Sequence, residues 1–458
     1  MKTITRIFIL GLFCSSCSNG FLEEKPNSNI LNPQNVEDFQ RLLDNFDIIG
    51  VTSALPQLAS DEYFIISYNN WQAARTAVER NSYIWDTDVY GGEVNIEDWN
   101  VPYTSIFYCN NIIGEIKKNA TEAEIPLEFK NVYGQALFQR ARIYYDLVKN
   151  YSVPFDKQTQ ETDLGVPIRL DPSIDYVSGR ATVKKCYELI FKDIFEALIN
   201  LSSTGPLPER NRATKLAVFA LLSRIHLYRR EYEAAERFAD SVLTRYDKLI
   251  DYNTIPTNTS LPFSTTNDEL ILFARTVSYN NARQKNPYGD VYVDTTLINM
   301  YHENDLRRLI YFIDKGNGLY TVSSGYNGSG LSPFNGLAVD EVLLNKVECL
   351  ARKGDLSTAG YMLNRLLENR YISGTFIPIT FSTKEEAMRI TLQERRKELV
   401  WRALRWDDIK RLNKEGANIQ LRRVLDGKEF ILNPNSLRYT FNIPQDEINR
   451  SGIIQNIR

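Results

Sequence analysis

Glu394-Arg395-Arg396-Lys397-Glu398-Leu399, followed after Val400 by Trp401-Arg402-Ala403-Leu404-Arg405-Trp406-Asp407-Asp408-Ile409-Lys410-Arg411-Leu412, is the stretch on which the reading of the fold turns. Glu394, Arg395, Glu398, Arg405, Asp407, Asp408 and Arg411 alternate in sign at spacings of three and four, which makes them neighbours on helices. Asp407 and Asp408 are adjacent, and adjacent helix positions point about 100° apart, so they do not converge on one bond as an acid/base couple would. With arginines on either side they read as structural ion pairs, and Asp61-Glu62 and Glu97-Asp98 read the same way. Glycoside hydrolysis needs two carboxyls about 5 to 9.5 Å apart across a bond, and no local spacing announces that geometry.

Outward from this stretch the pattern is helical. After Asn35, Val36, Phe39, Leu42, Leu43 and Phe46 make one stripe of a 3.6-residue period; the runs from Trp99 and from Tyr133 have wide apolar faces, and Thr182 is placed to cap a helix over Val183 to Leu201. Between Thr214 and Arg245 two apolar stripes flank a turn at Arg229-Arg230-Glu231. Ala234 stands there four positions before Phe238, the spacing of a tetratricopeptide helix pair. Val339 to Glu368 repeats the arrangement around Lys353-Gly354-Asp355, with Ala359 as the small residue. No strict 34-residue period runs through the chain, so these are separate helix pairs with insertions rather than a regular array.

The opening stretch resembles the C-terminal signature of the SusD/RagB family, an ERR-x-EL step followed by R-x-x-DL-x-R. Phe441 to Asn449 is similar to that family's final PIPxxEIxxN segment, and Gln455-Asn456 to its closing QN. Arg140 to Val148 with Val153-Pro154, and Ala338 to Gly354, resemble two of its internal helices. The resemblance implies an all-α fold: a helical bundle with tetratricopeptide-like pairs on one side and a loop-rich, aromatic half with few short strands on the other. It further implies a non-enzymatic surface lipoprotein that captures a glycan, or in some members a peptide, for a SusC-type TonB-dependent outer-membrane transporter.

The N-terminus agrees. Lys2 and Arg6 precede the apolar run Ile7 to Phe13, too short to span a bilayer, and Ser15-Ser16-Cys17 resembles a lipobox in which Cys17 becomes the acylated first residue. Residues 1–16 are therefore expected to be a signal peptide, 17–34 a flexible tether and 35–458 a single domain, with membrane contact through the lipid anchor only. The remaining cysteines, Cys109, Cys186 and Cys349, are too few and odd in number for a disulfide framework and read as buried core residues. With 54 Lys+Arg against 57 Asp+Glu the net charge is −3, so nucleic acid is not an expected partner. Two histidines, His226 and His302, leave little material for a His-based metal site or triad, and no metal or cofactor is expected.

Aromatic residues make up 12% of the chain, and Tyr, at 26, outnumbers Gly, at 23. Sugars offer C–H patches to ring faces and hydroxyls to side-chain amides, so a binding surface should mix exposed rings with Asn or Gln on loops. Two regions fit: Asp61 to Trp85, with Tyr68, Asn69, Asn70, Trp71 and Trp85, and Asn286 to Tyr292 together with the Gly-rich stretch Asp314 to Gly336, with Tyr288, Tyr292, Tyr320, Tyr326 and Asn327. A tethered glycoside hydrolase and a purely helical assembly scaffold are the competing functions.

Overall fold

Asn35 opens the first helix, its side chain accepting the Asp38 N–H at 3.0 Å, and Thr182 and Thr214 cap two later ones in the same way. The computed structural model describes residues 33–118, 120, 124–172, 178–257, 261–283, 291–323, 325–326, 328 and 332–458, so Cys17, Tyr288 and Asn327 lie outside the described residues. Within these the α-helices are α1 (Val36–Leu43), α2 (Leu55–Ala59), α3 (Tyr68–Gln72), α4 (Ala77–Tyr83), α5 (Glu97–Lys118), α6 (Lys130–Tyr151), α7 (Val183–Asn200) and α8 (Lys215–Tyr228). There follow α9 (Tyr232–Leu243), α10 (Thr295–Ile298), α11 (Leu306–Tyr311), α12 (Val339–Lys353), α13 (Leu356–Glu368), α14 (Lys384–Glu398), α15 (Arg405–Asn413) and α16 (Gln445–Ser451). Short strands join only in pairs: β1 (Val51–Thr52) runs parallel to β6 (Arg275–Thr276), and the other ribbons are antiparallel. These are β2 (Tyr63–Ile65) with β7 (Val291–Val293), β3 (Leu164–Pro167) with β4 (Arg180–Thr182), β5 (Leu270–Leu272) with β10 (Leu337–Ala338), β8 (Phe312–Asp314) with β9 (Tyr320–Val322), and β11 (Leu421–Leu425) with β12 (Lys428–Leu432).

The expected architecture is present: helices carry the mass and the strands are short. The largest core gathers α1 and α5 to α8, and α6 is buried from Val132 to Tyr151. At its start Gly134 admits the end of α7; a Cβ there would sit 3.0 Å from the Leu201 nitrogen. A second core holds α12, α13 and α14 together. A third lies under the ribbons, built from Tyr63, Ile65, Tyr83, Val291, Val293 and Trp401. The α8/α9 and α12/α13 pairs turn where predicted, the second through Gly354 at φ +90°, a left-handed cap that suits glycine. One detail differs: Ala235, fully buried, is the crossing residue, its carbonyl accepting the Ser223 hydroxyl at 3.1 Å, whereas Ala234 is half-buried and Phe238, also half-buried, stacks on Phe219 and His226.

The motif helices bind the cores together with buried charge. Arg395 meets Asp408 (2.8 Å) and Arg411 meets Glu348 (2.6 and 2.7 Å). Arg307 reaches Glu394 (2.7 Å) and Glu398 (2.9 Å), and Lys149 of α6 reaches Asp407 (2.7 Å). The ion-pair reading of Asp407-Asp408 therefore holds. It holds for Asp61 as well, which takes Arg405 and Arg396, but not for its neighbour: Glu62 accepts only neutral donors. Asp98 is likewise held by neutral donors, accepting from Ser53 Oγ and the Ala54 and Leu55 nitrogens at the start of α2, and from the Tyr279 hydroxyl. Cys109, Cys186 and Cys349 are free and buried.

Candidate functional site

Strand alternation sets the site. In β2 and β7 the residues Tyr63, Ile65, Val291 and Val293 point into the core, which turns the paired Phe64 and Tyr292 outward; their half-buried rings lie 5.8 Å apart and 31° from parallel. Three residues further on, Ser67 caps α3 by accepting the Asn70 N–H at 3.2 Å. This short helix presents Tyr68 and Trp71, rings 5.1 Å apart at 41°, with Asn69 and Gln72 exposed beside them. Trp71 donates its indole N–H to the Arg80 carbonyl (2.9 Å), so its only donor is spent inside the protein and what it offers outward is ring surface. The turn between β11 and β12 closes one side, where Asp426 accepts the Tyr68 N–H at 3.4 Å.

The floor is rigid. Tyr63 donates to the Leu58 carbonyl (2.7 Å), and the Tyr83 hydroxyl accepts the Ile65 N–H (2.9 Å). Arg423 of β11 bonds the carbonyls of Tyr63 (2.6 Å) and Ser60 (2.5 Å) while its guanidinium sits 3.7, 4.9 and 5.1 Å from the ring centres of Tyr83, Tyr63 and Trp85. On the other side β9 lies against β7 and carries Tyr320. Its hydroxyl donates to Asp314 (3.0 Å) and accepts from Arg308 (2.8 Å), whose guanidinium centre is 5.4 Å from the ring centre.

Of the residues singled out from sequence, Tyr68, Asn69, Asn70 and Trp71 share α3, and Tyr292 and Tyr320 stand on neighbouring ribbons. Trp85 and Tyr326 are corrections. Trp85 is 1% exposed, with its N–H on the Ala59 carbonyl; Tyr326 is 5% exposed, its hydroxyl on Glu269 and Arg402 stacked 3.7 Å from its ring centre. Both follow aromatic-rich loop sequence, but their polar tips find partners inside, which is what lets such rings be buried. Phe64 was missed, although the alternation of Tyr63-Phe64-Ile65 against Val291-Tyr292-Val293 announces it. His226 is stacked between Phe191 and Phe238 with Glu231 on its Nδ1 at 2.6 Å, and His302 lies over Tyr371.

Three buried carboxyls, Glu269, Asp340 and Glu398, offer oxygens within 4.8 Å of one another. Arginines occupy the role a metal ion would take: Arg370 bridges Glu269 (2.7 Å) and Glu398 (2.8 Å), and Arg402 pairs with Asp340 (3.0 Å). A cavity of about 590 Å³ lies elsewhere, between α9 and α12. Its one ring, Tyr232, is covered by Arg352 at 4.0 Å, and Arg352 and Lys353 are spent on Glu348, Glu415 and Glu236. The ribbon surface, where rings and amides face outward together, is the better candidate.

These features define an all-helical scaffold whose loop-rich half displays an aromatic surface. A family model described as starch-binding and associating with the outer membrane matches residues 20–227, and the SusD family model matches residues 337–457. The chain belongs to the SusD/RagB family. It is 28% identical over 149 residues to SusD-like protein P38 of Formosa agariphila, a match that takes in 32% of this chain and 25% of that protein's length. Its fold is similar to that of a SusD superfamily protein from Bacteroides thetaiotaomicron (TM-score 0.73, 21% identity, 93% of this chain and 100% of the other). A SusD-like carbohydrate-binding protein from Bacteroides fragilis is also similar (TM-score 0.67, 16% identity, 93% and 100%).

Proposed function

We propose that this protein captures a glycan on the Phe64/Tyr292 and Tyr68/Trp71 surface and passes it unaltered to a SusC-type TonB-dependent transporter. It is held to the outer membrane, facing the cell surface, by the acylated Cys17 through the tether of residues 17–34, with residues 35–458 as one binding domain. The observation that carries the reading is the outward aromatic pair on each of two adjacent elements, with exposed Asn69 and Gln72 on the same short helix as the second pair. Tyr320, on the strand beside β7, extends the same surface; Tyr288 and Asn327, expected from sequence to join it, lie outside the described residues. The starch-binding description of the matching family and the carbohydrate-binding description of a structural relative support the ligand class. Against hydrolysis, Asp61, Asp407 and Asp408 are each committed to arginine or lysine, so none is poised as a proton donor.

Affinity electrophoresis of the body lacking residues 1–17 against a panel of polysaccharides and peptides tests this. Retardation by a glycan without release of product, lost in Trp71→Ala, is the expected result. Retardation by nothing in the panel overturns capture, and turnover dependent on one carboxylate overturns the non-catalytic role.

A further inference from the structure

Glu62 is 1% exposed and begins the β2/β7 ribbon: its backbone carbonyl accepts the Asp294 N–H at 2.9 Å. Its side chain points the other way, into the helical frame. The Oε2 atom accepts the side-chain amide of Gln57 on α2 (2.8 Å) and the backbone N–H of Trp401 (3.2 Å). Gln57 in turn accepts the Ala403 N–H (3.1 Å), so two side chains hold both ends of the turn between α14 and α15. That turn needs holding: Trp401 (φ +59°) and Ala403 (φ +53°) are both in the left-handed region without being glycine. Trp401 completes the joint, donating its indole N–H to the Ala282 carbonyl (2.8 Å) and meeting Tyr63 edge to face with ring centres 5.8 Å apart.

We infer that Glu62 works as a proton-dependent clasp, neutral when closed, that locks the aromatic ribbon to the turn between the two motif helices. Available charge decides its state. The cations facing it from each packed element are already committed: Arg405 of α15 and Arg396 of α14 to Asp61, and Arg423 of β11 to two carbonyls. The nearest acid, Asp61, is ionised beside it, and Asp294 of the β7 side shares Arg396 at 3.7 Å. A buried carboxyl with only neutral donors and a carboxylate next door is more stable protonated. Burial, with Asp61 adding to it, pushes Glu62 from 4.5 up to about 7 against the pull of Gln57, Trp401 and Arg405. Opening the clasp returns the group to water and to its ordinary value, so opening becomes more frequent as pH rises between these limits and levels off above them. The clasp lies in the joint beneath the site and does not need a glycan.

The test is hydrogen exchange by mass spectrometry on peptides spanning 57–66 and 399–405, corrected for intrinsic rates, from pH 5 to pH 8.5. Wild type should lose protection by roughly tenfold per pH unit towards neutrality and then level off. Glu62→Gln, which keeps both acceptor bonds without an ionisable proton, should be flat over the same range. Gln57→Leu removes a bond that favours the ionised form and should move the levelling point to higher pH. A flat wild-type profile, a Glu62→Gln profile that keeps the wild-type dependence, or an unmoved levelling point in Gln57→Leu overturns the clasp. If Glu62→Gln does not fold, the wild-type and Gln57→Leu profiles still decide.

Discussion

Arg405 and Asp61, 344 positions apart, meet through two parallel hydrogen bonds of 2.8 and 2.9 Å, from Nε and Nη2 along one edge of the guanidinium. The pair joins the C-terminal motif to the segment that leads into the aromatic ribbon. Removing Arg405 leaves Asp61, in a largely enclosed position, with Arg396 as its one remaining partner at 3.1 Å and without its two-pronged bond. Arg405→Ala should lower stability by about 2 to 4 kcal/mol, read from the urea midpoint, while Arg405→Lys, which keeps the charge but loses the fork, should recover only part of it.

The half-buried rings and the sealed one make opposite predictions. Tyr68→Ala and Trp71→Ala should each weaken glycan binding by about tenfold, the order expected for one lost stacking contact, with an unfolding midpoint changed by less than that of a core mutant. Trp85→Ala leaves a cavity under the site and should cost about 3 to 5 kcal/mol in stability. Isothermal titration beside denaturant unfolding separates the two effects.

Ala403 at φ +53° is a position where glycine belongs. Ala403→Gly should raise stability by about 1 kcal/mol, because relief of left-handed strain exceeds the added freedom of the unfolded chain. A lower thermal midpoint would contradict the strain.

Acid stability follows from the arginine pairs. Burial alone would raise Asp305 and Glu348, but Arg307 with Lys397 holds Asp305 down from 3.8 to about 2, and Arg411 with Arg352 holds Glu348 down from 4.5 to about 2. The unfolded chain binds protons at these groups before the folded one does, so their contribution is complete above about pH 4.5 and is lost as pH falls towards 2. Each is worth on the order of 2 to 3 kcal/mol. Glu62 acts with the opposite sign, its raised value making stability fall as pH rises from 4.5 towards 7. The urea midpoint should therefore drop steeply below pH 4.5, and Glu62→Gln should flatten the shallower decline above it.

The helical half is legible in the sequence. The stripe after Asn35, the cap at Thr182 and the turn at Gly354 each follow from local rules, because a helix satisfies its own backbone and declares its buried face every three or four residues. The ion pairs of Asp407 and Asp408 are legible too, since their type is set by charge and helical spacing. The partners are legible only in part: Arg395 and Arg411 are local, but Lys149 lies 258 residues from Asp407.

The candidate site is legible as a composition and only half legible as a surface. Trp71 and Trp85 sit 14 positions apart in the same aromatic segment, and only the amides of Asn69 and Asn70 beside Trp71 hint at which ring faces water. The difference lies in what arrives from elsewhere: Arg423 closes over Trp85 and Ala59 takes its N–H, while α3 lifts Trp71 to the edge. Glu62 shows the same limit. Beside Asp61 it looks like half of an ion pair, and only the chain's return at Trp401 shows that the cations are already taken. Local backbone preference and apolar period settle which segments become helix, because those energies are summed over near neighbours. Burial of a ring or the charge of an acid depends on groups hundreds of residues away, and that assembly is decided by the tertiary structure alone.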